Sequence, residues 1–279
     1  MIPPIASKFV AGESPAEALD HARQMNDEGV AVILNLLGEH YHERGPADED
    51  ADAYVQLVED IAETDLDACV SVKPSQIGLD MGDDVFAENY RRIAEAADEH
   101  DVFLWCDMED HETTDATLDS FEELAREFEG GMGLCVQANL KRTPDDLERL
   151  SDVPGKIRLV KGAYDEPASI AHKKKSKVDD VYKELLAYLF REYTGSVAVG
   201  SHDPEMISYA RELGQEYDTD YEIQMLMGVR EDAQRELASE GVEVWQYAPY
   251  GGKWFQYFYR RVRERKENVL FAVRAVLGI

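Results

Sequence analysis

The stretch KIRLVKGAYDE, residues 156–166, ends a short apolar run in cations and then in two small residues, Gly162 and Ala163. A buried strand reads this way where it leaves the core and meets solvent or a ligand, because its aliphatic residues pack and its polar end does not. Arg158 and Lys161 suit an anion or an electron-rich ring, and the small pair lets a ligand approach backbone N–H groups. After it comes VDDVYKELLAYLFREY, with the length and amphipathic spacing of a helix. Strand followed by helix is the unit from which parallel sheets are built.

The unit recurs along the chain. Apolar runs stand at 30–37, 67–73, 102–108, 133–138, 156–161, 196–200, 221–224 and 242–248, eight in all. Between them lie EDADAYVQLVEDIAE, DVFAENYRRIAEAADEH, TLDSFEELAREFE, DPEMISYARELGQ and REDAQRELASE, all of helical spacing. Asp203-Pro204 and Thr143-Pro144 each place a capping residue before a proline suited to the first helical turn. A doubly wound open sheet satisfies the same alternation. The count of eight, with no linker or internal repeat, predicts a single α/β domain over 1–279, a (β/α)8 TIM-type barrel with a short N-terminal helical segment.

Lys and Arg total 29 against 58 Asp and Glu, a net charge of -29 that excludes nucleic acid as a partner and points to an acidic, halophile-like surface. The opening MIPPIASKFV lacks a basic segment followed by an apolar one, and no apolar run reaches membrane-spanning length, so a soluble cytoplasmic protein is expected. Cys69, Cys106 and Cys135 sit singly in strand-like runs and read as buried reduced thiols. His40 and His42 in GEHYHE read as loop residues, and no metal is expected.

In such barrels the chemistry gathers at the C-terminal strand ends. Those ends offer Lys73, Asp107 with Glu109, Gln137, Lys161, His202, Gln224 with Leu226, and Tyr247 with Tyr250. Any one of them reads equally as a loop-closing or capping residue; together they must be solvated, paired or used. No G-x-G-x-x-G follows a strand, so a bound dinucleotide would not rest on a Rossmann turn.

The ordered series SVKPSQIGL, CDMED, VQANLKRT, RLVKGAY, GSHDP, YEIQMLMGVRED, YAPYG and RRVRERKEN resembles the motifs of the proline dehydrogenase family, flavoenzymes that also form one domain of the bifunctional proline-utilisation protein. The resemblance runs from SKFVAGES to the C-terminus. It implies a distorted (β/α)8 barrel that holds FAD, oxidises L-proline to Δ1-pyrroline-5-carboxylate and passes electrons to a quinone. Quinone use implies transient contact with a membrane surface, although no basic amphipathic helix is evident to provide it. No second catalytic domain fits in this length, so a separate pyrroline-5-carboxylate dehydrogenase is the expected downstream partner.

Carried over by motif, the resemblance implies that Lys73, Arg260 and Arg261 bind the substrate carboxylate, with Leu226 and Tyr247 packing the proline ring. Asp107 is the implied pocket acid, paired with Lys73, and Arg158 lies against the flavin; Met108, Gln137, Lys161, Gly162, Ala163, Ser201 and His202 hold the cofactor. Three positions depart from the family pattern: Asn139 where an aromatic is frequent, His111 where a small hydroxyl residue is common, and Ser201 for a usual threonine.

Physical chemistry fits that role. A carboxylate is the handle that a small saturated ring offers, and a guanidinium fork grips it bidentately. Nearby cations also favour the unprotonated amine from which a hydride can leave. Within WFQYFYRRVRERKEN, residues 254–268, helical spacing lets Glu264 brace Arg260 and Arg261, while Arg263, Arg265 and Lys266 turn to other faces. The run HKKKSK, 172–177, reads as a solvated helix start. Two rivals follow from the residues: an aldolase-type barrel with Lys161 as a Schiff-base lysine, and a flavin-binding barrel without turnover.

Overall fold

Eight parallel strands close on themselves in the order β1 to β8 in the computed structural model, which describes residues 6–217 and 219–255. The strands are β1 (Ala31–Leu36), β2 (Ala68–Val72), β3 (Leu104–Cys106), β4 (Met132–Gln137), β5 (Lys156–Val160), β6 (Ser196–Gly200), β7 (Tyr221–Leu226) and β8 (Val244–Tyr250). Closure comes from β1 pairing in parallel with both β2 and β8, the latter over the register Ala31–Trp245 to Leu36–Tyr250. All eight expected runs are strands. β3 is shorter than its run because the chain turns after Cys106, where the Asp107 N–H still donates to Val72 O at 2.9 Å.

Helices alternate with the strands: α1 (Pro15–Asp27), α2 (Arg44–Ala62), α3 (Asp83–Glu99), α4 (Thr114–Glu127), α5 (Thr143–Arg149), α6 (Lys175–Glu192), α7 (Pro204–Tyr217) and α8 (Glu231–Ser239). α1 is the expected N-terminal helical segment, and the Ser14–Glu17 capping box with Pro15 in the first turn fixes its start. Asp203 caps α7 as its sequence suggests, its Oδ1 accepting from the Glu205 N–H at 3.1 Å. Thr143 does not cap α5. It lies inside the first turn, and its hydroxyl donates to Gln137 O at 2.5 Å, because the chain leaving β4 folds back directly onto the strand end. The basic run 172–177 leads into α6, and residues 173–177 are exposed.

The core has two parts. Outward-facing strand residues such as Val70, Leu104, Leu134, Leu159 and Val199 pack against helix residues such as Tyr54, Phe86, Phe121 and Leu186 in a continuous apolar layer. A separate small cluster of Ile33, Cys69, Trp105 and Ala198 fills the barrel interior. Pairing register carries this inward set around the barrel through Ile33–Cys69, Trp105–Gly133, Cys135–Arg158, Arg158–Ala198 and Ala198–Glu222. Gly133 is required there: a Cβ would lie 2.5 Å from the Trp105 ring, so the indole takes the volume the glycine leaves. All three cysteines are buried free thiols, as expected, and burial pushes each of them up. No helix among the described residues is long and apolar enough to cross a membrane.

Candidate active site

Side chains at the C-terminal strand ends converge on Asp107. Its Oδ1 accepts from Ser71 Oγ at 2.9 Å and from Arg158 Nη2, and its Oδ2 accepts from the Tyr247 hydroxyl at 2.6 Å. Strand alternation accounts for the set: Ser71 on β2, Arg158 on β5 and Tyr247 on β8 all point into the barrel. Tyr54 of α2 donates its hydroxyl to Ser71 O at 2.8 Å and accepts from the Leu36 N–H at 3.0 Å, locking β1 and β2 just below the mouth.

Arg158 is 4% exposed, so its charge must be compensated. Burial is the largest single influence and opposes the guanidinium charge, but the Asp107 carboxylate together with the neighbouring Cys135 and Tyr247 holds Arg158 above its ordinary pKa. The guanidinium carbon lies 4.8 Å from the Trp105 ring centre and 5.7 Å from that of Tyr247, which adds cation–π attraction. Enclosure and the same carboxylate push the Tyr247 phenol well above its usual range, so it remains a neutral donor.

Lys73 is paired with Glu39, from the loop after β1, and not with Asp107. The expected Lys73–Asp107 pair gives way because Ser71, Arg158 and Tyr247 already occupy both Asp107 oxygens, while the β1 loop brings Glu39 to the lysine. Asp107 and Glu109 of CDMED therefore part company. Glu109 is buried, accepts from the Ser75 N–H at 2.6 Å and from Ser75 Oγ at 2.8 Å, and is pushed upward by burial against the pull of Lys73.

The residues expected around the cofactor sit at or just after the C-terminal ends of β3 to β6. Met108 is buried, and Gln137 donates to Glu109 O at 2.7 Å while its Oε1 accepts from the Ala163 N–H at 3.3 Å, tying the loops after β3 and β5 together. His111 strengthens the same tie: Glu166 accepts from its N–H at 2.9 Å and bonds its Nδ1 at 2.7 Å. Gly162 has φ 109° and presses on the Asn139 amide, where an added Cβ would lie 2.1 Å from Oδ1. That Oδ1 is buried without a hydrogen-bond partner among the described residues.

Lys161 lies between Asp179 Oδ1 at 2.5 Å and Asp203 Oδ2 at 2.7 Å. It is an ion-paired residue, not the desolvated amine that a Schiff-base mechanism needs. Ser201 Oγ accepts from the Asp203 N–H at 3.2 Å, and His202 Nε2 accepts from the Leu226 N–H at 2.7 Å, so that nitrogen carries no proton. Leu226 is half-buried at the end of β7. Arg260, Arg261 and Glu264 lie outside the described residues.

Sequence reasoning missed Ser71, Glu39 and the lower interior of β7. Period-two alternation from Lys73 would have put Ser71 in the barrel beneath it. Nothing local marks Glu39 in a loop it shares with His40 and His42. Among the described residues no three His, Cys, Asp or Glu side chains gather as a metal site.

Comparison with known proteins agrees with this geometry. The family model described as proline dehydrogenase matches residues 18–274. Proline dehydrogenase 1 of Bacillus subtilis subsp. natto is 35% identical over 277 residues, 98% of this chain and 90% of that protein. Proline dehydrogenase of Deinococcus radiodurans is 36% identical over 285 residues, again 98% of this chain and 90% of the relative. In fold, the chain is similar to the crystal structure of proline utilization A (PutA) from Bdellovibrio bacteriovorus inactivated by N-propargylglycine, with a TM-score of 0.86 and 23% identity over 94% of this chain and 33% of that one. A family match over residues 18–274, relatives above a third identical and a closed eight-stranded barrel with an acid–arginine pair at its mouth lead to one conclusion: the chain belongs to the proline dehydrogenase family, oxidoreductases that act on proline in its catabolism.

Proposed function

We propose that this chain oxidises L-proline to Δ1-pyrroline-5-carboxylate with FAD as the hydride acceptor, and that a quinone takes the electrons in a transient encounter at a membrane surface. The product would then pass to a separate pyrroline-5-carboxylate dehydrogenase. The observation that carries this reading is the pairing of the buried Arg158 with the half-buried Asp107, braced by Tyr247 and Trp105 at the barrel mouth.

The residues present fit a flavin. Asn139 Oδ1 is a buried acceptor in want of a donor, Gly162 and Ala163 expose backbone beside it, and Arg158 supplies the cation that a reduced, anionic ring favours. Met108, Gln137, Lys161, Gly162, Ala163, Ser201 and His202 would hold the cofactor. FAD, when bound, supplies the acceptor for the hydride and electrons that proline gives up.

The protein's part is orientation and charge. Lys73, with Arg260 and Arg261, grips the substrate carboxylate, while Leu226 and the Tyr247 ring pack the pyrrolidine so that its reacting carbon meets the acceptor in one pose. Positive charge at Lys73 and Arg158 favours the neutral amine whose lone pair expels the hydride. With both oxygens already accepting bonds, Asp107 orients Arg158 and Tyr247 rather than collecting the proton.

Anaerobic L-proline added to the FAD-loaded protein should bleach the flavin spectrum; a spectrum that stays oxidised overturns the proposal. Arg261→Lys should raise the KM for proline roughly tenfold or more with flavin retained, since a lysine cannot make the bidentate grip. Unchanged kinetics would remove Arg261 from the substrate site.

A further inference from the structure

A chain of polar side chains runs down the barrel interior from the site to the opposite end. Arg158 Nη1 donates to Gln224 Oε1 at 3.0 Å, Gln224 Nε2 donates to Glu222 Oε1 at 2.5 Å, and Lys156 Nζ bonds Glu222 Oε2 at 2.5 Å. Glu222 and Gln224 are both buried, and alternation on β7 places both on its inward face. The Lys156 ammonium lies 5.1 Å from the Phe103 ring centre and 5.9 Å from that of Trp245. Bulky branched apolar residues dominate barrel interiors, so a buried carboxylate with its ion-pair partner here calls for a reason.

We infer that Glu222 and Gln224 are positioning residues that set which face of the Arg158 guanidinium is bonded within the barrel and which is left for the site. The argument turns on a side-chain amide having one acceptor end and one donor end. Arg158 has only donors and must meet Gln224 Oε1, which leaves Gln224 Nε2 pointing down. Only an acceptor can receive it, and the Glu222 carboxylate provides one while its second oxygen receives Lys156. One polarity runs through the chain, and the carboxylate is the point at which it is enforced.

A counterintuitive consequence follows. In Glu222→Gln the new amide has a single oxygen, which Lys156 claims, so its NH2 end faces Gln224. Gln224 then turns its own oxygen downward and presents NH2 to Arg158, donor against donor. Removing Lys156 as well frees the new amide to turn its oxygen toward Gln224 and restores the original polarity. Arg158 should therefore be displaced in Glu222→Gln and return to place in Lys156→Met/Glu222→Gln.

The inference rests on the proposed role of Arg158 in proline oxidation, and its test has a readout that does not. With Trp245 and Trp254 replaced by phenylalanine, Trp105 is left as the reporter beneath Arg158, and its emission in flavin-free protein senses the guanidinium over its ring. Glu222→Gln should shift that emission and lower the rate of flavin reduction at saturating L-proline roughly tenfold or more, the scale of a lost charge-assisted hydrogen bond. Adding Lys156→Met should return both to near the parent values. Gln224→Met should show the same defects, with no recovery from Lys156→Met. Parent-like emission and rate in Glu222→Gln, or a double variant no better than the single, overturns the inference. A parent that proline cannot bleach sinks the proposed function instead, and the Trp105 emission then decides the inference by itself.

Discussion

The inside of the barrel and the layer around it are built on opposite principles. Outside, strands and helices meet mainly through aliphatic and aromatic side chains, with hydroxyls such as those of Tyr54 and Tyr182 bonded to strand carbonyls, and stability comes chiefly from area removed from water. Inside, a small apolar plug around Trp105 shares the space with Lys156, Glu222, Gln224, Arg158, Asp107 and Tyr247, joined end to end by hydrogen bonds. The outer layer tolerates change in proportion to volume; the inner chain depends on each donor meeting an acceptor. Damage outside should lower stability, and damage inside should lower rate.

Arg158→Met is the largest break. It leaves the half-buried Asp107 without its cationic partner and should cost about 3 kcal/mol of stability by urea unfolding, with proline-driven flavin reduction abolished; a folded variant with parental rate would dissolve the distinction. Phe121→Ala sharpens it from the other side. A fully buried ring in the outer layer is lost, so stability should fall by about 3 to 5 kcal/mol while the rate per folded molecule is unchanged.

Tyr247→Phe keeps the ring and removes one donor to Asp107, so flavin reduction should slow roughly tenfold with a stability change of about 1 kcal/mol. An effect on stability alone would place Tyr247 with the outer layer. The smallest effect concerns Glu109, whose folded pKa is raised above its ordinary 4.5 by burial. The folded state then binds the proton more tightly than the unfolded one, so this group's contribution falls as pH rises from 4.5 through the raised value. Glu109→Gln should flatten the unfolding free energy over that window, and an unaltered pH profile would show that Glu109 does not set it.

The correction at Lys73 shows where the sequence loses its hold. Residue type and strand position put Lys73 and Asp107 at one barrel mouth, and both are there. Which carboxylate meets the lysine depended on the β1 loop delivering Glu39 from 34 residues away, information no local pattern contains. The same holds for the coupling of Arg158 to Glu222 through Gln224, since Gln224 lies 66 residues from Arg158, as Glu222 does from Lys156, and they become neighbours only across the barrel interior.

Periodicity by itself determined the alternation of strand and helix, because runs of period two and of 3.6 fix each element locally. The count of eight favoured a barrel over an open sheet, and the pairing of β1 with β8 closed it. Motif order determined the family. Tertiary structure alone decided the pairing of charges, because a buried ion takes whichever counter-charge the fold brings within reach, and reach is set by strand register and loop path.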